Sequence, residues 1–488
     1  MGADVQRKNT VAVEKRTTNM YIMKTKPWEH QLKALDYLMV RHYGALYTDM
    51  GSGKTKVGID LIVNRGFNLT LIVGTKKSCD VWQDEFKKHY GGSEICVFKL
   101  SNLSTSSKIT KLYECLSQIK EKHNRIVLII NYDSIWIKPF SEKLIKAPID
   151  CIICDESHRI KSPGSKCSLY LTRIGKKVPN RFLFTGTPST ESPLDVYAQY
   201  RFLQPDIFGT NYSVFRDRYE NVDINQTMRV GYRVLNKKQP YLHLDELKEK
   251  MYSCAFYVTP NIKLPETTDI VIHYTPSKQL IDIYKEVKKE GVYENENGVL
   301  EINNARTKVL REQQILSGYV PLEDFTFTKK FVATVDYTRQ NTLQELMEGI
   351  RKDEKIVIFA KFRYDFDCIQ NVCKTLNREY GEISGVRDDY ELWKRGEINT
   401  IAVHYKSGSE SIDLTQARYC IYYTLSHSYG LYRQSRKRVH RPGQTRPVVY
   451  YSIVAKIPRM TTVDEKIVKA LENKQDVAEY LLNSNSRD

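Results

Sequence analysis

The chain has 488 residues, of which 41% are hydrophobic and 27% charged, with a mean hydropathy of -0.48. These values exclude a stapled miniprotein, a disordered chain and a bundle of membrane spans. Lys plus Arg at 75 against Asp plus Glu at 58 leaves a net charge of +17 and a pI near 9.2. A polyanion is the natural partner of such a surface, although charge alone leaves a generic basic protein equally open.

In chain order, residues 1–21 predict a flexible tail. Arg7, Lys8, Lys15 and Arg16 are followed by no apolar h-region, and Gln6 stands where a myristoylation signal needs Ser or Thr. Ten scattered cysteines without an export signal predict reduced thiols, so the expected compartment is the cytoplasm. Short apolar runs then alternate with amphipathic stretches, the pattern of a parallel α/β sheet. The expected strands are Ala45–Thr48, Leu69–Val73, Ile126–Ile130, Ile149–Cys154 and Arg181–Thr185. Cys151 and Cys154 form a CxxC, but it lies inside one of these runs with no second pair, which favours a buried strand over a zinc site. From about Leu194 to Leu346 the alternation weakens, and segments such as Leu244–Met251 and Lys278–Lys289 predict a mainly helical middle. Strands resume with Lys355–Ala360, Thr400–Val403, Tyr419–Tyr423 and Val448–Val454, and residues 483–488 read as a polar tail.

Gly51-Ser52-Gly53-Lys54-Thr55 follows the first expected strand and opens a helix, the context that a phosphate-binding loop requires. Backbone N–H groups at the glycines would face phosphates, Lys54 would reach the β and γ oxygens, and Thr55 would hold Mg²⁺. The full GxxxxGK[ST] pattern wants glycine where Thr48 stands. Asp155-Glu156-Ser157-His158 follows the apolar run that ends at Cys154, at the strand edge where open α/β sheets bind ligands. There Asp155 can hold Mg²⁺, and Glu156 can polarise the water that attacks the γ-phosphate. From Leu414 to Val463 the chain carries nine Lys or Arg and no Asp or Glu, which points to an anion site.

The loop, together with Asp155-Glu156-Ser157-His158, resembles motifs I and II of superfamily 2 helicases. Asp49–Thr55 (DMGSGKT) and Asp155–Ser165 (DESHRIKSPGS) are similar to the Swi/Snf-type branch of DNA translocases, and matches run from about Pro27 to Ile467. The resemblance implies an α/β fold of two tandem RecA-like lobes, 22–193 and 347–482, with a mainly helical insertion at 194–346. It implies ATP as substrate, with Gln31 reading adenine and Met50, Gly51, Ser52, Gly53, Lys54 and Thr55 cradling the phosphates. Thr75 and Lys76, in a segment similar to motif Ia, would meet a DNA phosphate. Thr185-Gly186-Thr187-Pro188 resembles motif III and would couple ATP to DNA.

In the second lobe Ile356–Phe359 resembles motif IV and Gly408–Thr415 motif V, implying DNA contacts at Gly408 and Ser409 and an ATP contact at Asp413. The family usually has glycine where Ser411 stands. Gln434–Gln444 (QSRKRVHRPGQ) fits the QxxxRxxR of motif VI, implying that Gln434 touches ATP and that Arg438 and Arg441 are arginine fingers. Thr462–Ile467 is similar to the family's closing signature. The expected function is a motor that hydrolyses ATP on duplex or branched DNA, translocates on it without sequence preference and remodels DNA structures or DNA-bound protein, of the compact kind that bacteria and bacteriophages carry. A strand-separating helicase and an ATP-gated clamp with little turnover are the alternatives.

Overall fold

The computed structural model describes residues 23–49, 51–122, 124–258, 263–302, 304–325, 330–408 and 412–482. Met50, Ser409, Ser411 and the two expected tails lie outside the described residues. The chain divides into two compact units, Met1–Ile262 with Asp476–Asp488, and Lys263–Gln475.

The first unit is built on seven strands: β1 (Tyr43–Thr48), β2 (Leu69–Gly74), β3 (Ile95–Lys99), β4 (Arg125–Asn131), β5 (Cys151–Asp155), β6 (Asn180–Thr185) and β7 (Ala255–Val258). They form one sheet in the order β3-β4-β2-β5-β6-β1-β7, every pair parallel. The central parallel strands are covered on both faces, which is why their sequences are mainly apolar. Successive residues point to opposite faces: Ala45 and Tyr47 join one buried cluster, and Leu46 joins the other. The helices are α1 (Glu29–Met39), α2 (Lys54–Arg65), α3 (Lys76–His89), α4 (Thr105–Lys122), α5 (Phe140–Leu144), α6 (Lys166–Gly175), α7 (Val196–Leu203), α8 (Tyr212–Tyr219), α9 (Ile224–Val230) and α10 (Leu244–Tyr252).

The second unit holds six parallel strands in the order β14-β15-β13-β16-β17-β8. Their ranges are β8 (Thr267–Tyr274), β13 (Ile356–Ala360), β14 (Tyr380–Ile383), β15 (Thr400–His404), β16 (Tyr419–Tyr422) and β17 (Val448–Ala455). A small antiparallel sheet is inserted, with β9 (Val292–Asn295), β10 (Gly298–Glu301), β11 (Tyr319–Glu323) and β12 (Lys330–Thr334). The helices here are α11 (Lys278–Glu290), α12 (Ala305–Leu316), α13 (Thr338–Glu348), α14 (Arg363–Thr375), α15 (Tyr390–Arg395), α16 (Tyr405–Gly408), α17 (Tyr429–Val439) and α18 (Val463–Leu482).

The nine expected strands are all present, and both alternating blocks are parallel sheets. The middle stretch differs from a mainly helical insertion: besides its helices it contains β7, which borders the first sheet, β8, which borders the second, and the antiparallel sheet. The reason is positional. An edge strand is covered less than a central one, so β8 reads Thr-Thr-Asp-Ile-Val-Ile-His-Tyr and is exposed along most of its length, without the apolar run that marks the others.

Candidate functional site

Because the strands of the first sheet run in parallel, the segments that follow β2, β5, β6 and β1 all leave the sheet at one edge. Those segments carry Thr75 and Lys76, Asp155-Glu156, Thr185–Pro188 and Gly51–Thr55 respectively.

The glycine loop turns through left-handed residues, Gly51 at φ 81° and Gly53 at φ 78°, and Gly53 caps α2. A Cβ at Gly53 would come within 2.2 Å of Gln31 Nε2, so position 53 demands glycine on both backbone and steric grounds. Gln31 is tied to the loop: its Nε2 donates to the Ser52 carbonyl at 3.1 Å, and its Oε1 accepts from the Trp28 N–H at 2.8 Å. The ring nitrogen Nε2 of His30 lies 2.9 Å from the same carbonyl. Ser52 closes the turn, with its Oγ donating to the Asp49 carbonyl at 2.6 Å. Lys54 is buried, and its Nζ donates to the carbonyls of Thr48 and Asp49 at 3.1 and 3.4 Å. Thr55 is half-buried in the first turn of α2. The Thr48 departure has a simple reading: Thr48 is the last residue of β1, paired with Val258, and an extended residue has no need of glycine.

Asp155 ends β5, and both oxygens of its carboxylate are held. Oδ2 accepts from Ser78 Oγ at 2.5 Å and from Trp82 Nε1 at 2.9 Å, while Oδ1 accepts from the Glu156 N–H at 3.1 Å. Burial and the neighbouring Glu156 carboxylate push the Asp155 pKa up, against the pull of Ser78, Trp82 and the nearby Lys54 ammonium. Glu156 adopts φ 49°, a left-handed conformation that costs a non-glycine residue free energy and recurs at functional sites. Its Oε2 lies 3.4 Å from His158 Nδ1 and 3.5 Å from Thr185 Oγ1. His158 Nδ1 is also 3.2 Å from Thr185 Oγ1. Burial, then Arg159 and Lys161, lower the His158 pKa to about 3, which keeps this imidazole neutral at physiological pH.

Thr185 is buried at the end of β6. The segment after it is held by Asp195, whose Oδ2 accepts from the N–H groups of Thr190 and Glu191 at 2.8 and 2.7 Å, and by Lys161, which donates to Thr190 Oγ1 at 2.7 Å. Ser157 Oγ donates to Gln199, which in turn donates to the Pro188 carbonyl, joining the acidic motif to the turn after β6. Thr75 caps α3, its side chain accepting from the Ser78 N–H, and Lys76 is exposed at the start of that helix. Sequence reasoning gave no role to Ser78, Trp82 or Gln199, and none to His158 beyond its place in the acidic motif. Trp82 reads as a core residue of an amphipathic helix, which it also is. The available signal was the i, i+4 spacing of Ser78 and Trp82, which puts two donors on one helix face.

In the second unit, Gly408 ends α16. Asp413 is exposed, and its Oδ1 accepts from the N–H and hydroxyl of Thr415 at 2.9 and 2.7 Å. Gln434 and Arg438 are buried on α17, and Arg441 is half-buried beyond it. Arg438 Nη1 donates to the Ile412 carbonyl at 3.4 Å, and its own carbonyl accepts from the Leu414 N–H at 3.0 Å. Gln444, which sequence reasoning gave no role, ties the same two segments together: its Nε2 donates to the carbonyls of Thr415, Ala417 and Val439. The structure therefore brings the loop of Asp413 to the helix of Arg438. Not every cation of the basic run is available to a ligand. Arg436 forms a two-pronged ion pair with Asp269 of β8 and stacks 3.8 Å over Tyr450, and Arg446 pairs with Glu354 at 3.0 Å.

Among the described residues no cluster of three or more His, Cys, Asp or Glu could hold a metal, and no helix is long and apolar enough to cross a membrane. Thr55 and Asp155 could each offer a hard oxygen donor of the kind that Mg²⁺ takes while retaining several waters.

Comparison with known proteins shows which family the chain is drawn from. The SNF2-related domain family matches residues 30–325, and the helicase conserved C-terminal domain matches 338–443. An uncharacterized ATP-dependent helicase of Mycoplasma pneumoniae is 23% identical over 90% of this chain and 40% of its own length. The DNA repair and recombination protein RDH54 of Saccharomyces cerevisiae is 24% identical over 90% of this chain and 51% of its own. The chain thus spans about half the length, or less, of these relatives. Among solved structures, the SWI2/SNF2 ATPase core of Sulfolobus solfataricus in complex with dsDNA matches with a TM-score of 0.41 and 19% identity, covering 94% of this chain and 93% of that one. The chain belongs to the SNF2-related domain family, with a helicase conserved C-terminal domain in its second half.

Proposed function

We propose that this chain is a DNA-dependent ATPase that translocates on duplex or branched DNA and remodels it, using Mg²⁺. The observation that carries this reading is the convergence at one sheet edge of the glycine loop with Lys54, the Asp155-Glu156 pair and Thr185. The name of the yeast relative, a DNA repair and recombination protein, and the net charge of +17 support DNA as the partner.

In this mechanism Gln31 binds the adenine, and the N–H groups of Gly51–Thr55 bind the phosphates at the start of α2. Lys54 leaves the carbonyls of Thr48 and Asp49 for the β and γ oxygens. Thr55 and Asp155 would hold Mg²⁺, which supplies charge neutralisation on the phosphate oxygens. Glu156 orients the attacking water and takes its proton, with the neutral His158 and Thr185 fixing the direction of the carboxylate. Arg438 and Arg441 stabilise the charge that develops on the γ-phosphate, and Gln434 and Asp413 complete the nucleotide contacts. Thr75, Lys76, Gly408 and Ser409 contact the DNA backbone, so binding is independent of base sequence; Thr185, expected among the DNA contacts, is fully buried with its hydroxyl on Glu156 and His158 and serves the acidic motif instead.

The test is steady-state ATP hydrolysis with no nucleic acid, single strands, duplex and a four-way junction. The expected result is strong stimulation by duplex or junction. Stimulation by single strands alone would replace the translocase with a strand-separating helicase, and no turnover with any of them would leave an ATP-gated clamp.

A further inference from the structure

The two donors that engage Asp155 Oδ2 come from one helix, α3, and from one face of it: Ser78 in its first turn and Trp82 one turn on. Both are buried, as is Asp155 itself. Two glycines outside the phosphate loop keep this contact possible. A Cβ at Gly74, the last residue of β2, would lie 2.7 Å from Ser78 Oγ, and a Cβ at Gly58 on α2 would lie 2.4 Å from the Trp82 ring. Space for the hydroxyl and for the indole is thus created by residues on two other elements, which simple core packing of a helix does not require. The same α3 begins with the Thr75 cap and Lys76, whose side chain is exposed.

We propose that Ser78 and Trp82 are positioning residues: from α3 they fix the orientation in which Asp155 holds the nucleotide's divalent cation, and they tie that orientation to the helix that starts at Thr75 and Lys76. The proposal rests on the nucleotide and DNA assignments above. With Oδ2 held by two donors and Oδ1 by the Glu156 N–H alone, Oδ1 would be the oxygen with a lone pair left for the ion, and a displacement of α3 on contact with a DNA phosphate would rotate the carboxylate. Both ends of the coupling are therefore carried by one rigid helix, with no loop between them.

The experiment compares wild type, Trp82→Phe, Ser78→Ala and Ser78→Thr. Affinity for a fluorescent ADP analogue is measured in Mg²⁺ and in EDTA, and ATP hydrolysis is measured with and without duplex. Trp82→Phe keeps a ring and removes the N–H; Ser78→Thr keeps the hydroxyl. The expected result is that the gain in nucleotide affinity conferred by Mg²⁺ falls about tenfold in Trp82→Phe and Ser78→Ala. Affinity in EDTA should stay at the wild-type level, Ser78→Thr should retain the gain, and the stimulation ratio with duplex should fall in step. An undiminished Mg²⁺ gain, or an equal loss in EDTA, overturns the proposal. Ser78→Ala removes one hydroxyl only and keeps the test decisive if Trp82→Phe disturbs the core. Should wild type itself gain no affinity from Mg²⁺, the nucleotide assignment would fail instead.

Discussion

Lys54, Glu156 and Arg441 each have one expected effect on replacement. Lys54→Ala, Glu156→Gln and Arg441→Ala should lower kcat by at least about a hundredfold, with duplex binding by fluorescence anisotropy close to wild type. Retained hydrolysis in Glu156→Gln would remove that residue from its role. Glu156 is also a site where stability and activity oppose one another, because its φ of 49° is strained for a glutamate. Glu156→Asn, a residue that tolerates the left-handed region, should stabilise the chain by about 1 kcal/mol in urea unfolding while hydrolysis is lost. His158 introduces a pH dependence. Its folded pKa of about 3 lies below the ordinary 6.5, so between those values the unfolded chain binds the additional proton. Stability contributed by the neutral ring is complete above pH 6.5 and is lost as pH falls toward 3. His158→Gln should flatten this limb of the stability profile, and an unchanged limb would assign it to other groups.

Elements were legible in the sequence where burial is two-sided. β1, β2, β4, β5, β6, β13, β15, β16 and β17 each read as a mainly apolar run because each has neighbours on both sides in its sheet. β3, β14, β7 and β8 escaped because they are short or lie at sheet edges, and the antiparallel insertion escaped because its strands are only four or five residues long and mostly bounded by charged residues. The candidate site divides in the same way. Backbone-dictated parts, such as the loop at Gly51–Thr55 and the acidic pair after β5, were visible as local patterns. Side chains that act across the fold, such as Trp82 on Asp155 or Gln444 on three carbonyls, were invisible because their partners are distant in sequence. The closing signature at Thr462–Ile467 acquires a structural meaning from one such contact. Asp464, at the start of α18, forms a buried ion pair with Arg339 of α13, which also donates to Tyr274 of β8 at 3.0 Å and to Ser317 at 3.2 Å. Breaking a buried pair leaves the other charge uncompensated, so Asp464→Asn should cost about 3–5 kcal/mol in equilibrium unfolding. Arg339→Met combined with Asp464→Leu should recover most of that loss; a double variant as unstable as the single one would show that the pair itself, rather than the orphaned charge, matters.

For the whole molecule, the net charge of +17 makes ionic strength the controlling variable. Raising salt from about 50 to about 200 mM should weaken duplex binding by orders of magnitude, while ATP hydrolysis without DNA changes little; an equal response of the two activities would separate the positive charge from the DNA contact. Each unit has its own parallel sheet, but the two sheets close differently along the chain. The first is complete once β7 at Ala255–Val258 has joined β1. The second begins with β8, whose partner is β17 at Val448–Ala455, the last strand among the described residues. During synthesis the first sheet can therefore form while the ribosome is still translating the rest, ahead of the carboxy-terminal stretch from Asp476 that belongs to the same unit. Thr267–Tyr274, by contrast, leaves the exit tunnel with no strand to join, and its backbone hydrogen-bonding groups stay unpaired until nearly the entire second unit has emerged. A nascent chain stalled before Val448 would carry a finished first sheet and an unclosed second one, with β8 free to pair with other strands in the cell.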